Sequence, residues 1–184
     1  MNPYIRCYLL PDFDADKLPV PLNWSHHSIL DLMKKLTPRM QGLCGVVAAE
    51  MVVPIWESYS KDSAPRKVIE AVKGYFAGTS SLVEVREAAV IARARAAGVS
   101  RSTTTTQGHA AVKAVETAVS VAALVATTTL SATVGAVVRA LRAAADADSR
   151  LGVYVNPSGI WWNKCKPLLQ EEYGHWVRKL RGEE

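Results

Sequence analysis

Residues 56–78 read Trp56-Glu57-Ser58-Tyr59-Ser60-Lys61-Asp62-Ser63-Ala64-Pro65-Arg66-Lys67-Val68-Ile69-Glu70-Ala71-Val72-Lys73-Gly74-Tyr75-Phe76-Ala77-Gly78. They spell out the end of one helix, a tight polar turn and the start of a second helix. Asp62 and Ser63 are good N-cap residues, because a side-chain oxygen there accepts from the unpaired N–H groups of the first turn. Pro65 falls where a missing N–H costs nothing. Gly78 suits the left-handed residue that closes many helices. Arg66 and Glu70 lie four apart on one predicted helix face, at the spacing of an ion pair.

On the N-terminal side, helical text begins near Ser28, with Ile29, Leu30, Leu32, Met33 and Leu36 on one apolar face. Thr37-Pro38 reads as a new cap and first turn. From there to Tyr59 the chain stays apolar, and Pro54 predicts a kink or split because an i→i−4 bond is lost. Gly42-Leu43-Cys44-Gly45 reads as a close helix crossing. Pro3, Pro11, Pro19 and Pro21 exclude a long helix near the start. Residues 1–27 are therefore expected to form an extended arm, with a short strand at Tyr4–Leu10. Asp12, Asp14 and Asp16 alternate as in a calcium loop, but its glycine and terminal glutamate are missing.

On the C-terminal side, Ser81-Leu82-Val83-Glu84 is a capping box. The helix it opens is predicted to run to about Ala97 and stop at Gly98. The hydroxyls of Ser102–Thr106 predict a loop and cap. A long apolar segment follows, from His109 to about Asp148. It carries no charge for roughly 22 residues between Glu116 and Arg139, enough to span a bilayer. Its leucines are few, its hydroxyls many, and no aromatic belt flanks it. Residues 117–138 therefore fit a buried helix pair, broken at Thr127-Thr128-Thr129, better than a membrane span. Leu151–Asn156 fits a second short strand and Asn156-Pro157-Ser158-Gly159 a turn. Pro167 is expected to open the last helix, with Leu169, Tyr173 and Trp176 on its apolar side. Arg178, Lys179 and Arg181 suit its C-terminal dipole. The expected fold is all-α: an antiparallel bundle of about 6–7 helices with an extended Pro-rich arm and a short strand pair. One domain spans 1–184, divided into the arm (1–27), a helical core (28–150) and a turn with the C-terminal helix (151–184).

Composition agrees with one domain that has a real core: 184 residues, 49% hydrophobic, net charge +5. That charge means an acidic partner only if it gathers on one face. Cys7, Cys44 and Cys165 are odd in number and far apart, which favours free thiols in a reducing, cytoplasmic setting. No secretion signal pattern opens the chain. There is no HExxH, CxxC, GxSxG or phosphate loop, so no catalytic residue, metal ligand or cofactor is expected. His26 and His27 point about 100° apart on a helix and cannot clamp one metal. Arg86, Arg93, Arg95 and Arg101, with Lys164, Lys166, Arg178, Lys179 and Arg181, raise an alternative: a nucleic-acid-associated regulator. Glu84 and Glu87 interleave with the first group, as on a solvated face. A membrane-associated helical protein is the third reading. Trp161 and Trp162 are adjacent and cannot both enter one pocket, so one of them is expected either at the surface as an interface anchor or covering the end of the bundle.

The stretch from about Ala48 to Gly78 resembles the Imm-5-like immunity proteins, small helical bacterial proteins. The residues that carry the resemblance are Glu50, Pro54, Trp56, Glu57, Asp62, Pro65, Arg66, Ile69, Glu70, Ala71 and Gly78, with Gly108-His109-Ala110 further on. The chain departs from that pattern at Ala64, at Val47-Ala48, and after Gly108-His109, where Val and Thr replace histidines. The resemblance implies a non-enzymatic cytoplasmic protein that binds and neutralises a toxin. Trp161, Trp162, Arg178 and Arg66 are then the expected partner contacts. Asp62, Ser63, Pro65, Glu70, Gly78, Ser81 and Glu84 are the expected turn and cap residues. Opposite fields speed encounter, so a basic protein of this type suits an acidic or neutral toxin surface.

Overall fold

Helix termini written into the sequence set the architecture of the computed structural model, which describes residues 26–127, 130–148 and 157–181. The elements are α1 (His26–Met33), α2 (Pro38–Ser60), α3 (Ala64–Ala77), α4 (Leu82–Ser102), α5 (Thr106–Thr127), α6 (Leu130–Asp148) and α7 (Pro157–Arg181). The fold is an all-α helical bundle, and no strand occurs among the described residues. The expected strands at Tyr4–Leu10 and Leu151–Asn156, the aspartates 12, 14 and 16, and nearly all of the arm lie outside those residues. His26 and His27 do not belong to the arm, since α1 already includes them.

Most caps follow the local chemistry. Thr37 Oγ1 accepts from Met40 N at 3.2 Å, with Pro38 opening α2. Ser81 Oγ accepts from Glu84 N, and Glu84 Oε2 accepts from Ser81 N, completing the capping box on α4. Gly78 closes α3 at φ +76. The cap of α3 is corrected by one residue. Ser63 makes no side-chain cap bond, whereas Asp62 Oδ1 accepts from Ala64 N at 2.8 Å.

The helix boundaries expected at Pro167 and Gly98 and the turn expected over 157–159 are absent, and Pro54 does not split its helix. α2 runs through Pro54, and α7 starts at Pro157 and runs through Pro167. In each case the carbonyl that loses its donor, Glu50 or Asn163, belongs to an exposed residue where solvent can take the bond. α4 continues past Gly98 to Ser102, whose hydroxyl donates to the Gly98 and Val99 carbonyls. An exposed helical glycine costs only about 1 kcal/mol, too little to end a helix that is packed elsewhere.

α5 is the central helix and packs against α2, α3, α4 and α6. Its inward side chains, Ala111, Ala114, Val115, Ala118 and Val121, are fully or almost fully buried among Val46–Ala49, Val52 and Val53 of α2 and Val134, Ala136 and Val137 of α6. The buried Thr117 returns its hydroxyl to the Lys113 carbonyl at 2.9 Å. α5 ends at Thr127 and α6 begins at Leu130, packed against each other; Thr128 and Thr129 of the expected break lie outside the described residues. No helix among the described residues is long and apolar enough to cross a membrane. The crossing expected around Gly42–Gly45 is present: a Cβ on Gly42 would collide with the Phe76 ring of α3.

Candidate functional site

The α2–α3 turn binds three helices together. Trp56 Nε1 donates to the Asp62 carbonyl at 2.7 Å, Asp62 Oδ1 caps α3, and Asp62 Oδ2 lies 3.4 Å from Arg95 Nε of α4. Arg66 does not pair with Glu70. It turns back across the turn and grips Glu57 with two bonds of 2.7 Å. The bonds from Arg66 hold the Glu57 carboxyl below its usual range, partly offset by desolvation. Pro65 is buried at the start of α3, and Glu70 is exposed on it. Trp56, Glu57, Asp62 and Arg66, which carry part of the resemblance, thus sit in a structural joint.

The surface placement of one tryptophan fails. Trp161 and Trp162 are 0% and 2% exposed, with ring centroids 6.0 Å apart. Trp161 Nε1 donates to the Cys44 carbonyl of α2 at 2.9 Å. Consecutive residues diverge by about 100° on a helix, and the buried sector of α7 is wide enough to take both. Arg178 is exposed on α7 but lies about 24 Å along the helix from Trp162. Arg66 sits on α3. The four expected contacts therefore do not form one surface.

Cys44 and Cys165 are buried, unbridged neighbours. Burial, and then Cys44, push the Cys165 thiol far up, so it stays a neutral, unreactive group. Among the described residues no cluster of His, Cys, Asp and Glu could hold a metal.

The bundle does open a cleft of about 490 Å³ between α4, α5 and α6. Val112, Val115 and Val119 of α5 and Ala96 of α4 make its apolar floor. Arg93 and Ser100 of α4, Glu116 and Ser120 of α5 and Arg139 of α6 make its polar rim. Arg139 Nη2 donates to Ser120 Oγ at 2.7 Å, and the guanidinium folds back beside Gly135, where a Cβ would stand 3.4 Å from Nη1. The Ser120 hydroxyl in turn donates to the Glu116 carbonyl at 2.7 Å. Arg139 is therefore held in place before any partner arrives. Arg93 makes no ion pair among the described residues. The arginines of α4 part company: Arg93 lines the cleft, Arg95 reaches Asp62, and Arg101 points outward from the end of the helix.

No family model, curated protein or solved structure matches this chain. The likeness of residues 48–78 to the Imm-5-like proteins therefore rests on the quoted residues alone. Sequence reasoning placed Arg93 in a basic patch and missed Arg139 and Ser120 as a pair. The signal was there in outline. The two residues are nearly equidistant from the threonine break, and a hairpin folded at that break brings them side by side.

Proposed function

We propose that this is a non-enzymatic, cytoplasmic binding protein of the immunity or antitoxin type, which neutralises a protein toxin by direct docking. The observation that supports the reading is the cleft between α4, α5 and α6. Two arginines border an apolar floor, one already held by Ser120. A guanidinium fork over an apolar wall suits a carboxylate side chain delivered by another protein, because Arg binds carboxylates through two parallel N–H bonds. The acidic or neutral toxin surface expected from the net charge fits this rim. The separation of Arg93, Arg95 and Arg101 onto different sides argues against a phosphate-tracking surface.

The test is coexpression with the product of the adjacent reading frame. Host survival should require the intact cleft, with Arg139→Glu abolishing protection while helicity by circular dichroism is kept. Protection unchanged by Arg139→Glu and Arg93→Glu together would remove the cleft from the interface. A gel shift with DNA and RNA at low salt separates the nucleic-acid alternative, since phosphate contacts are strongest there; no retardation is expected.

A further inference from the structure

The side of α4 that faces away from the core is apolar where a solvated face would be polar. Val83, Val90 and Ile91 are 61%, 64% and 56% exposed. At 100° per residue, Val83, Val90, Ala94, Ala97, Glu87 and Arg101 fall within about 80° of one another. They stand opposite the buried Val85, Ala92 and Ala96, and Ala94, Ala97, Glu87 and Arg101 are all exposed. Gly98 lies at the edge of the strip and is also exposed, with nothing near its missing Cβ.

The order of residues along the strip has a twofold pattern. Glu87 is seven residues before Ala94 and Arg101 is seven after it, each about 10 Å away along the axis. An antiparallel copy centred on Ala94 puts Glu87 of one chain opposite Arg101 of the other, twice. The same register sets Val90 against Ala97 on one flank and Ile91 against Gly98 on the other, so each large side chain meets a small one. Ala94 meets Ala94 at the axis, where two backbones can approach closely. This is the self-complementarity that an isologous dimer requires.

We propose that the outer face of α4 is the site of homodimerisation, with two copies packing α4 antiparallel about a twofold axis at Ala94. The occupant is a second copy because one register pairs Glu87 with Arg101 twice and seats both Val90 and Ile91 on small residues; Val83 lies beyond the end of the partner helix. The opposing charges are Arg86 and Arg93, both exposed on the cleft side of the strip, about 40° and 60° off the line of Val90. A helix of this length offers a contact strip of roughly 300 Å² per chain, well below the ~800 Å² of a standard interface. The dimer is therefore weak and concentration-dependent. The strip borders the cleft at Arg93 and Ala97, but the proposal does not rest on the toxin-binding reading.

Sedimentation equilibrium of the full chain from about 1 μM to about 1 mM tests it. The mass should rise from 20.0 kDa toward twice that value. Glu87→Arg and Arg101→Glu should each weaken the dimer about tenfold, because each turns two attractive pairs repulsive. The double swap should restore it, and Val90→Glu should leave a monomer. All these positions are exposed, so circular dichroism and the thermal midpoint should stay close to those of the parent chain. A monomer throughout the concentration range overturns the proposal. So does a dimer indifferent to Val90→Glu, or a double swap as weak as the single ones.

Discussion

Lys61 is the described non-glycine residue with positive φ, at φ 53 and ψ 12. An L-residue there costs about 1–2 kcal/mol. It is held because its N–H caps α2 on the Glu57 carbonyl and because Asp62, the next residue, must serve Trp56 and α3 together. Lys61→Gly should stabilise the fold by about 0.5–1 kcal/mol, raising the thermal midpoint by roughly 1–4 °C. A lower midpoint would mean that the lysine side chain holds the turn. The tryptophans belong to the core, so Trp161→Ala and Trp162→Ala should each cost about 3–5 kcal/mol in urea unfolding. A variant of either kind that keeps its urea midpoint would contradict that placement. Cys165 gives a pH signature. Its thiol is raised by burial and then by Cys44, while in the unfolded chain it ionises near pH 8.5. Above that pH the unfolded state binds fewer protons than the folded one, so stability falls as pH rises. Below it the group contributes its full share. Cys165→Ala should flatten the decline of urea midpoint above about pH 8.5, and the native thiol should alkylate only on unfolding.

Individual helices were legible wherever a terminus is a local event. The capping box at Ser81 and Glu84, the Thr37-Pro38 start and Gly78 each need only a few neighbouring residues, and each is formed. Pro167 and Gly98 misled, and Pro54 left α2 unsplit, because a lost bond or a flexible residue ends a helix only when nothing else compensates. Which side of the helix the lost bond falls on is decided by packing. The same limit hid the wide buried sector of α7, which takes both tryptophans. Glycine shows how one residue type reads oppositely in two elements. Gly98 is an open, exposed helical position, so Gly98→Ala should add about 0.5–1 kcal/mol. Gly108 opens α5, with its N–H donating to Thr105 Oγ1 at 3.1 Å. A Cβ there would collide with the buried Thr103, whose Oγ1 takes the Tyr59 hydroxyl at 3.1 Å. Gly108→Ala should therefore cost about 1–3 kcal/mol. Equal effects of the two substitutions on the urea midpoint would deny the contact between Gly108 and Thr103.

For the whole molecule, the uncharged stretch that resembled a membrane span is explained by where the chain puts it. α5 has neighbours on four sides, and Thr117, Ala118, Val119 and Val121 are buried before the break, Val134, Ala136 and Val137 after it. A charge at any of these buried positions would have to be desolvated, which accounts for its absence there. The charged and polar groups resume at Lys113, Glu116, Arg139 and Arg142, all exposed and two of them on the cleft rim. Small side chains are what let four helices close on one. The bulk is supplied from outside the central helix, by Trp56 of α2 and Trp161 and Trp162 of α7. This division makes α5 intolerant of added volume. Ala118 is 0% exposed, so Ala118→Leu must push a surrounding helix outward, at a cost of about 1–3 kcal/mol. A leucine on the solvent side of α5, as in Lys113→Leu, adds no volume at an exposed position and should change stability by less than about 0.5 kcal/mol. Urea midpoints of the two variants decide the matter: similar losses would place Ala118 away from the bundle axis, and a loss confined to Ala118→Leu fits a small-residue helix enclosed by its neighbours.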